Sequence, residues 1–276
     1  MKIRMSSPGM KESALYRPWE VAEKPFRVAP HIYFVGNRWV SAYLLASEEG
    51  LALIDTTVPS TLYLLLESVR MLGFDPKDLR HVFLSHGHFD HDGCAVFLRE
   101  MTGAHIWLSE EEQYGFRKNT SIPERCKLGT WNYEPDRFYA DAPFSFGSLQ
   151  IRVRLTPGHT PGTVSFFVRD HDGEGREYLW AMHGGVGANT MNPAYFAETG
   201  LPDALAERFV KDCEEMKEIP VDICVPSHPP HADLLSLVGE DRRDFRAFVD
   251  RTRWRGFLAE RAEVVKEVMR TGRYPL

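Results

Sequence analysis

Apolar and polar positions alternate in short bursts along most of the chain, interrupted by longer stretches with helical spacing. His31-to-Val35, Val40-to-Ala46 and Leu51-to-Asp55 are short apolar runs separated by the turn residues Gly36-Asn37 and Glu49-Gly50, the pattern of a strand meander. Pro59 then opens a helical stretch with Leu62, Leu65, Leu66, Val69 and Leu72 on one face, ended by Gly73. Val82-Phe83-Leu84 predicts a buried strand, Ala95-to-Met101 a helix stopped by Gly103, and His105-to-Leu108 the next strand. The second half repeats this order. Strand-like runs at 144–146, 149–155, 163–168 and 177–182 precede a helix near 203–218 and the strand Asp222-to-Val225. A final helix over about 240–271 carries Leu258, Ala262, Val265 and Met269 at helical spacing.

Strands then helix, twice over, predict an α/β chain of two packed sheets with helices outside. Residues 1–25 are polar, carry Pro8, Pro18 and Pro25, and read as an N-terminal arm. No linker divides residues 26–276, which read as a single domain. Residues 110–137 break the rhythm, with Gly115, Asn119, Pro123, Gly129 and Pro135 among scattered aromatics. An irregular connection of that length is the expected form of a flap over a site.

Composition narrows the partners. Of 276 residues, 43% are hydrophobic and 26% charged, which is globular and not disordered. Lys plus Arg number 33 against 39 Asp plus Glu, and a formal charge of −6 disfavours nucleic acid as a partner. The Arg-rich stretch from Asp241 to Arg255 interleaves Asp241, Asp244 and Asp250 and reads as a solvated helix face. Cys94, Cys126, Cys213 and Cys224 are scattered without a CxxC pair, as free thiols in a reducing compartment would be. No stretch is apolar enough to span a membrane and no signal peptide is visible, so the expected location is cytoplasmic, or periplasmic or secreted if a leader was removed. A small-molecule substrate is the expected partner.

The chemistry concentrates in one run. His86, His88, Asp90 and His91 are four ligand-type residues within six positions, directly after the strand Val82-Phe83-Leu84. Imidazoles two apart on an extended turn can share one metal ion, and Asp90 and His91, one step further, can face a second. Zn²⁺ accepts this nitrogen and oxygen mixture, as do iron and manganese. His159, in Thr156-Pro157-Gly158-His159-Thr160-Pro161-Gly162, and His228, in Val225-Pro226-Ser227-His228-Pro229-Pro230, also sit at strand ends. Ligands gathered at one edge of a layered fold make a single site.

This series, His86-x-His88-x-Asp90-His91, then Gly158-His159-Thr160-Pro161-Gly162, then Ser227-His228-Pro229, resembles that of the metallo-β-lactamase superfamily over about residues 25–230. The resemblance implies a four-layer αβ/βα sandwich with two zinc ions in a cleft at one edge of the sheets. It implies that His86, His88 and His159 hold one ion, and Asp90, His91 and His228 the other. Asp55 is similar to the family's buried aspartate beside the site, although a turn-capping role after its strand explains it equally well.

One departure narrows the expectation. Many hydrolases of this superfamily place a bridging Asp after a late strand, and subclass B1 and B2 β-lactamases a Cys. The corresponding stretch here is Tyr178-Leu179-Trp180-Ala181-Met182-His183-Gly184-Gly185, with neither. This is similar to subclass B3 metallo-β-lactamases, which implies opening of a β-lactam amide by metal-activated water oriented by Asp90. His183 stands where that subclass commonly has Ser contacting the water; it replaces that Ser, adds a ligand, or is structural. Hydrolysis of another lactone, ester or thioester, or an iron-containing redox activity, is the alternative on the same scaffold. His231 is placed on the rim, exposed or touching substrate, and His31, His81, His105 and His171 are structural. Trp39, Tyr114, Phe116, Trp131, Tyr133, Tyr195 and Phe196 either line the cleft or pack the core.

Overall fold

A computed structural model describes residues 8–129 and 133–274. Trp131 lies outside the described residues. The first sheet runs in the order β1 (Phe26–Ala29), β2 (Ile32–Phe34), β3 (Tyr43–Ser47), β4 (Gly50–Ile54), β5 (Leu79–Phe83), β6 (His105–Leu108), β7 (Arg137–Phe138). It is antiparallel from β1 to β4 and parallel from β4 to β7. The second sheet contains β8 (Phe144–Phe146), β9 (Leu149–Leu155), β10 (Val164–His171), β11 (Glu177–His183) and β12 (Ile223–Pro226), in the order β12-β11-β10-β9-β8. Its pairs are antiparallel except the parallel β11–β12.

The period of two along the strands builds the layers. Tyr43, Leu45, Ala52 and Ile54 of the first sheet face Phe166, Val168, Trp180, Met182, Ile223 and Val225 of the second, forming the core between the sheets. Their alternates Leu44, Leu51 and Leu53 face outward onto α2 (Leu62–Met71) and α4 (Ala95–Thr102), through Leu65, Val69, Ala95 and Leu98. On the far side, Phe167, Ala181 and Cys224 meet α5 (Pro193–Thr199), α6 (Ala204–Met216) and α7 (Arg253–Thr271), through Phe196, Phe209, Met216, Trp254 and Leu258. Four layers therefore enclose three cores. Each fully buried Leu or Phe in them contributes roughly 1.5–3 kcal/mol. Each of the four cysteines is buried and free. No helix among the described residues is long and apolar enough to cross a membrane.

Three elements differ from the sequence reading. β3 begins at Tyr43 and not at Val40 because Asn37 Oδ1 accepts from the amides of both Trp39 and Val40, at 2.9 Å each, and turns the chain there. The last helix begins at Arg253, later than position 240. Before it, Asp241, Asp244 and Asp250 each accept from the amide two residues on, at 2.9, 3.0 and 2.9 Å. Such side-chain turns compete with helix formation, so the mixed-charge stretch is a chain of turns as far as Thr252 and helical only from Arg253. The segment before residue 26 holds a helix, α1 (Pro8–Tyr16), whose Ala14 packs with Val21, Trp39, Val40 and Val58.

Candidate metal centre

The parallel strands β4 and β5 end level with one another, Ile54 opposite Phe83, and β11 and β12 end with His183 opposite Pro226. Chain leaving those ends, together with the β9–β10 turn, brings the candidate ligands to one edge, where the fold places its C-terminal strand ends. His86 and His88 lie on the turn after β5, Asp90 and His91 on the single turn α3 (Phe89–Asp92), His159 between β9 and β10, and His228 just past β12. Donor atoms of His86, His88 and His159 lie within 4.8 Å of one another, and so do those of Asp90, His91 and His228. The two groups adjoin, with the His86 and His91 rings 4.3 Å apart.

Outer hydrogen bonds fix which nitrogen faces inward. Ser85 Oγ donates to Asp55 Oδ2 at 2.8 Å, so it can only accept from His86 Nδ1 at 2.9 Å. His86 Nε2 is left as a buried lone pair without a partner. His91 Nδ1 donates to Asp55 Oδ2 at 2.8 Å, His159 Nδ1 to Gly187 O at 2.7 Å, and His228 Nδ1 to Trp39 O at 2.8 Å. Each carbonyl or carboxylate is an acceptor only, so in the neutral form Nε2 of each of these three rings also carries a lone pair. The lone pairs of His91 and His228 then face each other at 3.3 Å, an arrangement that calls for a cation between them. This donor set fits a metal ion, and partners of this kind orient ligating histidines in such centres.

The electrostatics agree. Burial first, then the neighbouring imidazoles, push His86 well below the usual histidine range. Burial likewise lowers His159 and His228 to about 4, so these rings are neutral at pH 7, the form that binds metal. Burial opposes ionisation of Asp90, but His91, His228 and His88 outweigh it and keep the carboxyl below its ordinary value. Burial also opposes a charge on His91, yet Asp90 and Asp55 raise it. Both results express a demand for positive charge at the second group.

The centre opens into a cleft of about 230 Å³. Trp39, Phe89 and Leu128 form apolar walls, and Lys11, Asn189, His231 and Tyr274 supply the polar contacts. Lys11 comes from α1, and its Nζ lies 5.1 Å from the centre of the Phe89 ring. His231 stands 5.1 Å from the His228 ring, with Nδ1 buried and unpartnered, so it belongs to the cleft and not to an exposed loop. Lys11, Asn189 and Tyr274 escaped the sequence reading because nothing local marks them: Lys11 and Tyr274 come from near the two chain ends, and Asn189 from the short turn Ala188–Thr190. Of the aromatics considered, Trp39 lines the cleft. Phe116 and Tyr133 are buried, Tyr195 and Phe196 pack in the third core, and Tyr114 is exposed. Of the segment 110–137, Leu128 reaches the cleft, while Phe116, Ile122 and Cys126 form a small core of their own.

His183 is not brought to the cleft. Its ring is fully buried, 5.2 Å from Phe209, and Gly185 N donates to its Nδ1 at 3.3 Å. Of the stretch after it, Gly185, Val186 and Gly187 line the cleft, none of them a ligand-type residue. A Cβ on Gly185 would meet His159 at 2.8–3.0 Å, so the chain after β11 packs directly against that ligand.

The layers and the centre define a metal-binding αβ/βα sandwich. Residues 36–173 match the model of the metallo-beta-lactamase superfamily, and the chain belongs to that superfamily. It is 32% identical to the N-acyl homoserine lactonase AttM of Agrobacterium fabrum over 115 residues, 38% of this chain and 41% of that protein. The match spans about half the length of the first curated relatives. The fold is similar to that of BJP-1, a subclass B3 metallo-beta-lactamase of Bradyrhizobium japonicum, with a TM-score of 0.79 and 19% identity over 92% of this chain and 96% of that one. It is also similar to LRA-12, a class B3 di-zinc metallo-beta-lactamase from an Alaskan soil metagenome, with a TM-score of 0.77 and 22% identity over 90% and 95% of the two chains.

Proposed function

We propose that this chain is a zinc-dependent hydrolase, similar to the subclass B3 β-lactamases, that opens a cyclic amide bearing a carboxylate. In this reading His86, His88 and His159 hold one ion, and Asp90, His91 and His228 the other. When bound, such ions lower the pKa of water towards neutrality and polarise a carbonyl oxygen. The observation that carries the choice of substrate is Lys11, the one Lys or Arg among the described residues that line the cleft. Its ammonium can pair with a substrate carboxylate at the mouth and so set which face of the ring is presented to the centre. Asp90, held anionic by the imidazoles around it, accepts a hydrogen bond from the attacking water and orients it. Trp39 and Phe89 bury the apolar face of the substrate and exclude bulk water, and Asn189 and His231 offer N–H donors to its polar groups. His183, buried away from the cleft, has no part in this reading.

A second reading, opening of a lactone, is favoured by the likeness to AttM, a lactonase by name. The two separate in one screen of zinc-loaded protein on a chromogenic cephalosporin, a γ-lactone, a thioester and a phosphodiester. Turnover of the cephalosporin, lost on chelation and restored by zinc, is expected. Turnover confined to the lactone would transfer the assignment, and iron in the purified protein with thiol oxidation would replace hydrolysis by redox chemistry.

A further inference from the structure

The two turns that carry the first ligand group belong to different sheets, and nothing in the chain's order ties them together. His86 and His88 follow β5 of the first sheet, whereas His159 lies between β9 and β10 of the second. A fully buried carboxylate stands between them. Glu112 lies at the start of a turn of π-helix, Glu112–Arg117, just after β6. Its Oε1 accepts from Gly87 N at 2.8 Å, the amide that links His86 to Gly87. Its Oε2 accepts from Thr160 Oγ1 at 2.5 Å, the residue next to His159, and from Gly162 N at 3.1 Å.

The same short segment grips the second turn once more. Ser109 Oγ donates to Gly162 O at 2.6 Å and accepts from Glu112 N at 3.0 Å. Contact is so close that a Cβ on Gly162 would fall 2.0 Å from Glu112 N. Apart from the bond between Ser109 and Glu112 themselves, these bonds reach the turns bearing His86, His88 and His159. None reaches Asp90, His91 or His228; His91 leans instead on Asp55, and His228 on Trp39 O. We propose that Glu112 is a positioning residue that couples the two turns of the first ligand group, and so sets the metal affinity of that group independently of the second.

A buried carboxylate is suited to this task. It accepts from several donors at once, and charge-assisted bonds are shorter and about twice as strong as neutral ones. Glutamine has nearly the same shape but presents one amide nitrogen, a donor, where Glu112 presents a second acceptor. In either orientation one turn loses its acceptor, and the three imidazoles lose their common frame. Loss of such an outer partner reduces metal affinity typically about 10–100-fold.

The proposal rests on the metal assignment above, and the test separates the two. Zinc affinities of the full-length metal-free protein are measured by chelator competition, for wild type and Glu112→Gln. His159→Ala and His228→Ala identify which binding event belongs to which group. The expected result is a fall of about 10–100-fold at the first group with the second unchanged. Thr160→Val removes one of the three bonds and leaves Glu112 in place, so a smaller fall at the same group is expected; this variant decides the matter if Glu112→Gln does not fold. Unchanged affinities, or equal losses at both groups, overturn the positioning role while the metal centre stands. Failure of the wild type to bind zinc overturns both.

Discussion

Asp55→Asn tests the centre through a residue that touches no substrate. Asp55 is fully buried and accepts three bonds of 2.8 Å, from Ser85 N, Ser85 Oγ and His91 Nδ1. Its backbone is left-handed, with φ at 59°, a conformation Asn tolerates better than most residues, so the substitution isolates the side-chain chemistry. The new amide nitrogen cannot sit against Ser85 N, which only donates. It must take the Oδ2 position, where Ser85 Oγ can rotate and His91 must accept at Nδ1. That acceptance moves the His91 proton to Nε2 and removes the lone pair the second ligand group needs.

The lost charge-assisted bond amounts to roughly 1.5–3 kcal/mol. Read as binding, a 10–100-fold change corresponds to about 1.4–2.7 kcal/mol, so two independent routes give the same size. Calorimetric zinc titration of Asp55→Asn is expected to show the second affinity reduced by about 10–100-fold. A variant that binds both ions as tightly as wild type would refute the hydrogen-bond argument for the orientation of His91.

Further outcomes follow from the same geometry. Burial lowers His183 to about 3, below its unfolded value near 6.5, so the unfolded chain binds more protons between those pH values and stability falls on acidification through that window. His183→Gln removes that slope, by up to about 1.4 kcal/mol per pH unit; parallel denaturation curves from pH 6.5 downward would contradict it. Gly185→Ala drives a Cβ into the His159 ring and should weaken the first ion more than about tenfold, as read by chelator competition. Lys11→Ala should raise KM for carboxylate-bearing substrates, by up to about fivefold for an exposed ion pair, and leave a neutral lactone unaffected. An equal rise for both substrates would remove Lys11 from substrate recognition.

The layered fold was legible because strands buried on both faces read as nearly continuous apolar runs, as in Val82-Phe83-Leu84, and because Gly73 and Gly103 mark helix ends. The candidate ligands were legible because they crowd into strand-end turns with unusual residue chemistry. What escaped was non-local. Glu112 follows Glu110 and Glu111 in a polar run, and nothing in sequence distinguishes the one carboxylate that turns inward. The start of α7 was misplaced because periodicity does not register three Asp side chains that divert the backbone. His183 carried ligand chemistry at a strand end, yet its alternation along β11 directs it to Phe209 and away from the cleft.

Crystals grown with zinc and measured at the zinc absorption edge test the central claim most directly. Two anomalous peaks are expected, one among His86, His88 and His159 and one among Asp90, His91 and His228. A single peak, or none at these residues, would contradict a two-ion centre.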